Sequence, residues 1–100
     1  MSYEIDCKDL TDSEKERLYL LIEECSEVQK QACKILRFGY VDFHPVTQID
    51  NRTILEQEIG DLKAVILLMS NKDDINPVMI EKYISHKFEK FKKYTRFQGL

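Results

Sequence analysis

Two pairs of carboxylates stand out in this sequence: Glu24 with Glu27, and Glu58 with Asp61. Each pair is spaced i, i+3, so on a helix both acids project from one face about one turn apart. Apolar residues surround both pairs, at Leu20, Leu21, Ile22 and Val28 and at Ile54, Leu55, Ile59 and Leu62. Carboxylates beside a core repel one another and resist desolvation unless a positive charge lies between them. The pattern therefore predicts a divalent cation that these four acids hold between two helices.

The chemistry of the acids selects the metal. All four offer hard oxygen ligands, and neither His44 nor His86 lies three residues after a glutamate. Carboxylate bundles that bind di-iron use Glu-x-x-His, so a redox metal site is disfavoured. Oxygen-only sites suit Mg2+, with Mn2+ as an alternative, and both metals commonly meet their substrates through phosphate oxygens. Acids at this spacing are also common on solvated helix faces, so either pair by itself has an ordinary explanation.

A first helix is predicted from Thr11 to Phe38. Thr11 and Glu14 have the spacing of a capping box, and Gly39 follows at a position where glycine commonly ends a helix. Apolar residues recur at helical spacing and predict the side that packs on the core, at Leu18, Leu21, Ile22, Cys25, Val28, Ala32, Ile35 and Leu36. Residues 40–50 then form a predicted loop that is placed to cover a site.

Capping residues mark the starts of two further helices, predicted from Asp50 or Asn51 to about Ser70 and from Asn76-Pro77 to about Tyr94. Residues 62–69 are apolar on nearly all sides, as expected where a helix is buried on more than one side. A chain of 100 residues forms one domain, residues 1–100, with a modest core. We therefore expect an all-α fold with three main helices, in a helical bundle completed by homo-oligomerisation as a dimer or tetramer.

The composition disfavours several classes of protein. The net charge of −3 gives no support for binding to a nucleic acid polymer. The longest apolar run, Ala64–Met69, is far shorter than a membrane-spanning helix, so we expect no membrane association. The polar segment Met1–Asp12 lacks the features of a signal peptide, and the three cysteines form no disulfide pattern. These observations predict a cytoplasmic protein.

The acidic residues belong to longer motifs. The stretch Glu23-Glu24-Cys25-Ser26-Glu27, followed by Glu58-Ile59-Gly60-Asp61, resembles the EExxE…ExxD signature of the MazG-like all-α nucleoside triphosphate pyrophosphohydrolases. The stretch Lys34–Gly39, with its Lys-x-x-Arg-Phe-Gly pattern, and the pair Asn51-Arg52 are similar to further elements of that superfamily. Together these motifs extend over residues 18–70, which is most of the chain.

The resemblance implies a Mg2+-dependent hydrolysis of nucleoside triphosphates between the α- and β-phosphates, giving a nucleoside monophosphate and pyrophosphate. It also implies that the four acids bind the metal. Together with the positions of these residues on the helices, the resemblance suggests substrate contacts at Lys34, Arg37 and Asn51. Lys34 and Arg37 continue the face of Glu27, and Asn51 stands seven residues before Glu58. Each has an ordinary alternative: a surface charge for Lys34, a helix-dipole partner for Arg37 and a helix cap for Asn51.

A second hypothesis comes from another class of protein. A small helical domain with a partly exposed apolar second helix also suits an inactive interaction or regulatory module on the same fold. The acidic quartet separates the two hypotheses, because a pure binding module has no reason to retain four carboxylates beside its core. The sequence therefore favours the enzyme.

Overall fold

A computed structural model of the protein describes residues 9–100. It contains three helices, α1 (Asp12–Phe38), α2 (Asn51–Asn71) and α3 (Pro77–Tyr94). Residues 9–100 hold no β-strand, and one isolated bridge pairs Phe43 with Asp50. The predicted all-α class and the three helices are confirmed. The first eight residues of the predicted domain and of the polar N-terminal segment lie outside the described part. Within that part, every helix is too short or too polar to cross a membrane.

Local sequence signals explain where the helices begin and end. In the capping box of α1, Glu14 N donates to Thr11 Oγ1 at 3.1 Å, and Thr11 N donates to the Glu14 carboxylate at 2.9 Å. Gly39 ends α1 with φ +84°, a conformation that a residue with a Cβ rarely adopts. Asp50 caps α2 through a 2.7 Å hydrogen bond from Thr53 N. These signals act within a few residues, so the sequence alone predicts them well.

Helices α1 and α2 pack against each other as an antiparallel pair. Gln31, late in α1, contacts Asn51 at the start of α2, whereas Arg17, early in α1, binds Asp74 just after α2 ends. The facing residues alternate in spacing between four and three, as in coiled coils, with Arg17, Leu21, Glu24, Val28, Gln31 and Ile35 on α1 and Asn51, Leu55, Glu58, Leu62, Val65 and Met69 on α2. This pairing brings the acidic elements of the two helices side by side.

Much of the predicted core face of α1 is exposed. Leu21, Cys25, Val28 and Ile35 are half-buried, but Ile22 is 65% and Leu36 is 86% exposed. The reason is that α1 turns the adjacent row, which includes polar residues, towards α2, and nothing in residues 9–100 covers the other side. Val65 and Met69 are the buried apolar side chains of the described chain, so its core is very small.

Helix α3 lies largely apart from the pair. It makes few close contacts with α1 or α2, and no side chain along it is fully buried. The Cα radius of gyration is 17.6 Å, whereas a compact chain of 100 residues has about 13 Å. The apolar sides of α1 and α3 are therefore available to a partner.

One ion pair fastens the turn between α2 and α3 to the start of α1. Arg17 Nε and Nη2 donate to the two carboxylate oxygens of Asp74 at 2.5 and 2.9 Å, and Arg17 Nη1 donates to Ser13 Oγ at 2.5 Å. Arg17 is 8% exposed, so its guanidinium depends on these partners. The hydrogen bonds from Arg17 hold the pKa of Asp74 below its usual value.

We predict that this ion pair makes stability depend on acid pH. Because the folded-state pKa of Asp74 lies below the unfolded value of about 4, the pair stabilises the fold above that pH, and its contribution is lost as pH falls through the folded pKa. Asp74→Asn should lower the melting temperature at pH 7. It should also make the melting temperature change less with pH below pH 5. Asp73→Asn, at the exposed neighbouring residue, is the matched control. Equal effects of both substitutions would contradict this role.

Candidate functional site

Three of the four predicted metal ligands meet between α1 and α2. Glu24 on α1 and Glu58 and Asp61 on α2 each place one carboxylate oxygen within 4.8 Å of the others. Glu24 and Glu58 are half-buried and Asp61 is exposed. The donors are hard oxygens on rigid helices and include an exposed member, so they fit a hydrated Mg2+ or Mn2+. Exposed acidic groups also cluster without any ion.

The surroundings of Glu24 disfavour the charged form of its carboxyl group. Burial raises the pKa of Glu24, and the negative charges of Asp61, Glu23, Glu58 and Glu27 raise it further. The deprotonated form is therefore disfavoured in the absence of a cation. A divalent ion would reverse the sign of the local field and favour three charged carboxylates. Glu23 lies outside the cluster and is exposed, but its charge acts on Glu24.

Glu27 lies beside a cavity rather than in the cluster of three. This cavity has a volume of about 250 Å³ and is lined by Glu27, Lys30, Gln31, Lys34, Arg37, Ile54 and Glu58. It thus contains two of the predicted substrate contacts, Lys34 and Arg37, together with two of the predicted metal ligands. The helical spacing of Glu27, Lys34 and Arg37 predicted that they share one face of α1, and in the structure all three line this cavity.

Two polar residues of this cavity, Lys30 and Gln31, were not predicted from the sequence. Lys30 is four residues before Lys34 and seven before Arg37, so the three cations form one row along α1. That row is visible in the sequence and would have identified Lys30. Gln31 carries no comparable signal, because its role depends on the position of α2.

Asn51 has a structural role that the sequence did not specify. It is 2% exposed, and its Nδ2 donates to the Gly39 carbonyl oxygen at 2.9 Å. Gln31 Nε2 donates to the Asn51 carbonyl oxygen at 3.1 Å and to Oδ1 at 3.4 Å. Asn51 therefore joins the end of α1 to the start of α2, which sets the two sides of the cavity. The cavity lining does not include Asn51, and a substrate contact through its side chain would compete with these bonds.

The loop between α1 and α2 folds along the start of α2. Asn51 N donates to the Asp42 carbonyl oxygen at 2.8 Å, and Arg52 N donates to that of Tyr40 at 3.0 Å. Within the loop, His44 Nδ1 accepts hydrogen bonds from the backbone of Val46 and Thr47. None of residues 40–50 lines the cavity, so the loop leaves it open in this conformation.

Comparisons of the chain with protein-family models, with curated proteins and with solved structures found no match.

We predict that Asn51→Ala destabilises the fold without any ligand present. The substitution leaves the Gly39 carbonyl without its buried donor, which should lower the free energy of unfolding by about 1–3 kcal/mol. Urea denaturation followed by circular dichroism measures this change. Asn71→Ala, at the exposed end of α2, is the control and should stay within about 0.5 kcal/mol of the original protein. A similar loss in both variants would contradict the joining role of Asn51.

We also predict that Glu24→Gln stabilises the metal-free protein at neutral pH. Because the folded-state pKa of Glu24 is raised, the fold loses stability as pH rises through that pKa and the charge appears. Removing the charge should raise the melting temperature in EDTA at pH 7, with a smaller gain at acid pH, where more of the carboxyl is protonated. Glu16→Gln, an exposed glutamate on the same helix, is the control. A lower melting temperature for Glu24→Gln than for this control would contradict the repulsion.

Proposed function

We propose that the protein is a Mg2+-dependent nucleoside triphosphate pyrophosphohydrolase of the cytoplasm. The observation that carries the proposal is the position of Glu58. This residue belongs both to the three-carboxylate cluster and to the cavity lined by the positively charged side chains of α1. A metal on the cluster and a polyphosphate in the cavity would be neighbours. The resemblance of the acidic motifs to MazG-like enzymes supports the same reaction and suggests cleavage between the α- and β-phosphates.

Each group of residues has a distinct task in this proposal. Lys30, Lys34 and Arg37 bind the anionic oxygens of the triphosphate from one side of the cavity and hold it in one orientation. A bound Mg2+ would offset phosphate charge and make its coordinated water more acidic. Glu24, Glu58 and Asp61 would hold that ion. Glu27 remains a proposed ligand, and it lies on the phosphate side of the site. Hydrolysis adds water across the anhydride bond and releases pyrophosphate.

The size of the cavity bears on how the rest of the substrate is held. At about 250 Å³ it is smaller than the roughly 300–1,000 Å³ of pockets that enclose whole small molecules. It has room for a polyphosphate chain, while the nucleoside needs further surface. The proposal therefore includes completion of the bundle by a second subunit, in a homodimer or homotetramer, as the very small core of one chain also favours.

An inactive interaction module remains the alternative proposal. The exposed apolar residues of α1 and α3 favour it, since such surfaces commonly mark binding to another protein. An enzyme that works as an oligomer also explains the exposed apolar surfaces. It explains the positively charged side chains beside the carboxylates as well. Catalysis is the property that separates the two proposals.

The deciding assay uses the purified protein with a panel of NTPs and dNTPs, measuring monophosphate and pyrophosphate release with Mg2+, with Mn2+ and with EDTA. Glu58→Gln should lower kcat/KM by a factor of about 10² to 10³, because it weakens the metal site and alters the cavity together. The matched control is Glu56→Gln, two residues away on the exposed side of α2, which should retain activity.

Two results would overturn the enzyme proposal. One is the absence of metal-dependent cleavage of every nucleotide by folded protein, which would leave the interaction module as the better proposal. The other is cleavage that survives in Glu58→Gln as well as in Glu56→Gln, which would place the activity outside this site. Cleavage products other than pyrophosphate would correct the bond that we assign.

A further inference from the structure

The cavity between α1 and α2 has a charged rim and a neutral floor. Its charged residues are exposed or half-buried, and they are Glu27, Lys30, Lys34, Arg37 and Glu58. The two neutral members of the lining are Ile54, which is half-buried, and Gln31, which is 6% exposed. Gln31 is thus the most deeply buried residue of the lining, and its carboxamide is the neutral polar group that the cavity presents at its floor.

Hydrogen bonds fix the orientation of the Gln31 carboxamide. Asn51 Nδ2 donates to the Gly39 carbonyl oxygen at 2.9 Å, so Asn51 presents its Oδ1 atom to Gln31. The Asn51 carbonyl oxygen lies 3.1 Å from the same Gln31 nitrogen. Because both atoms of Asn51 are acceptors, Gln31 has to direct its NH2 group towards them. The other atom of the carboxamide, Gln31 Oε1, is therefore turned away from Asn51.

Gln31 Oε1 is an acceptor that opens into the cavity. No residue among 9–100 donates a hydrogen bond to it, yet every enclosed side-chain nitrogen or oxygen of this part of the chain has a partner. Oε1 is therefore not enclosed, and the open space that Gln31 borders is the cavity. A buried amide whose free acceptor meets a cavity is suited to a ligand that donates a hydrogen bond at that point.

The ligand group that meets Gln31 has to be a neutral donor. Ionised phosphate oxygens only accept hydrogen bonds, so Oε1 repels them, whereas the positively charged side chains of the rim attract them. In a nucleoside triphosphate the donors are the hydroxyls of the sugar and groups on the base. The sugar is joined directly to the α-phosphate, so its hydroxyls are the donors closest to the phosphate chain. Ile54, the apolar member of the lining, suits the carbon surface of a sugar ring.

We propose that Gln31 Oε1 accepts a hydrogen bond from the sugar 3′-hydroxyl of a nucleoside triphosphate, an inference that rests on the proposed function. The 3′-hydroxyl is present in ribonucleotides and deoxyribonucleotides alike. Gln31 then makes the substrate contact that the sequence assigned to Asn51, and Asn51 holds Gln31 in the required orientation. The contact selects nucleotides that carry this hydroxyl over those that lack it, because an unmet buried acceptor weakens binding.

Binding of analogues that resist cleavage tests the contact separately from catalysis. The probes are an α,β-imido deoxynucleoside triphosphate and the 2′,3′-dideoxy analogue with the same base, titrated into the original protein with Mg2+ in a calorimeter. The two probes differ only in the 3′-hydroxyl, so the protein itself is unchanged in this comparison. We expect the dideoxy analogue to bind about tenfold or more weakly, since Gln31 Oε1 then lacks its donor.

A pair of glutamine variants assigns the effect to Gln31. Gln31→Met removes the acceptor at nearly constant length, so the two analogues should bind this variant with Kd values within about twofold of each other. Gln29→Met is the matched control, because Gln29 is exposed and lies about 200° around α1 from Gln31. It should keep the tenfold difference. Each comparison is between two ligands of one variant, so a weaker joint with Asn51 does not by itself produce the expected result.

The outcomes separate this inference from the proposed function. Equal binding of the two analogues by the original protein would overturn the contact, and cleavage of NTPs in the same preparation would leave the enzyme proposal in place. A difference that persists in Gln31→Met would assign the hydroxyl to another residue. Selection for the hydroxyl without any cleavage of NTPs or dNTPs would support the contact and overturn the enzyme proposal. Absence of binding of either analogue, with Mg2+ and with Mn2+, would overturn both.

Discussion

The antiparallel packing of α1 on α2 is the constraint on which the rest of this structure depends. The facing rows are not purely apolar: they include an arginine, two amides and two glutamates as well as leucine, valine and methionine. The polar members at the two ends are matched, Gln31 with Asn51 at one end and Arg17 with Asp74 at the other. Because buried polar groups are costly without partners, these pairs disfavour other registers of the two helices.

The same register creates a conflict in the middle of the pair. There, carboxylates from both helices approach one another, and burial together with the neighbouring negative charges raises the pKa of Glu24. Carboxylates that repel one another between two packed helices are expected where a functional site requires them. The row of cations formed by Lys30, Lys34 and Arg37 begins directly beside this cluster. The arrangement of negative and positive groups side by side is suited to a metal-bound polyphosphate.

A pair of helices with a polar interface leaves little apolar surface buried within one chain. Hydrophobic burial is the main favourable term in folding, and here it is limited to a few side chains around Val65 and Met69. A second consequence is that apolar residues remain on the outer sides of α1 and α3. In the proposed oligomer, stability and the completeness of the site would be linked, since a second chain would cover surfaces that one chain leaves exposed.

The sequence by itself determined the helices, because caps such as Thr11 and breaks such as Gly39 act through bonds within a few residues. It also placed Glu24, Glu58 and Asp61 on two helices with compatible spacing. Tertiary structure decided which side of α1 meets α2. The side that does so keeps Leu21, Val28 and Ile35 of the predicted apolar face and adds the polar residues Arg17, Glu24 and Gln31. It likewise placed Glu27 beside the cavity and enclosed Asn51 in the joint between helices. Those outcomes depend on contacts between residues 12 or more positions apart, which local periodicity does not encode.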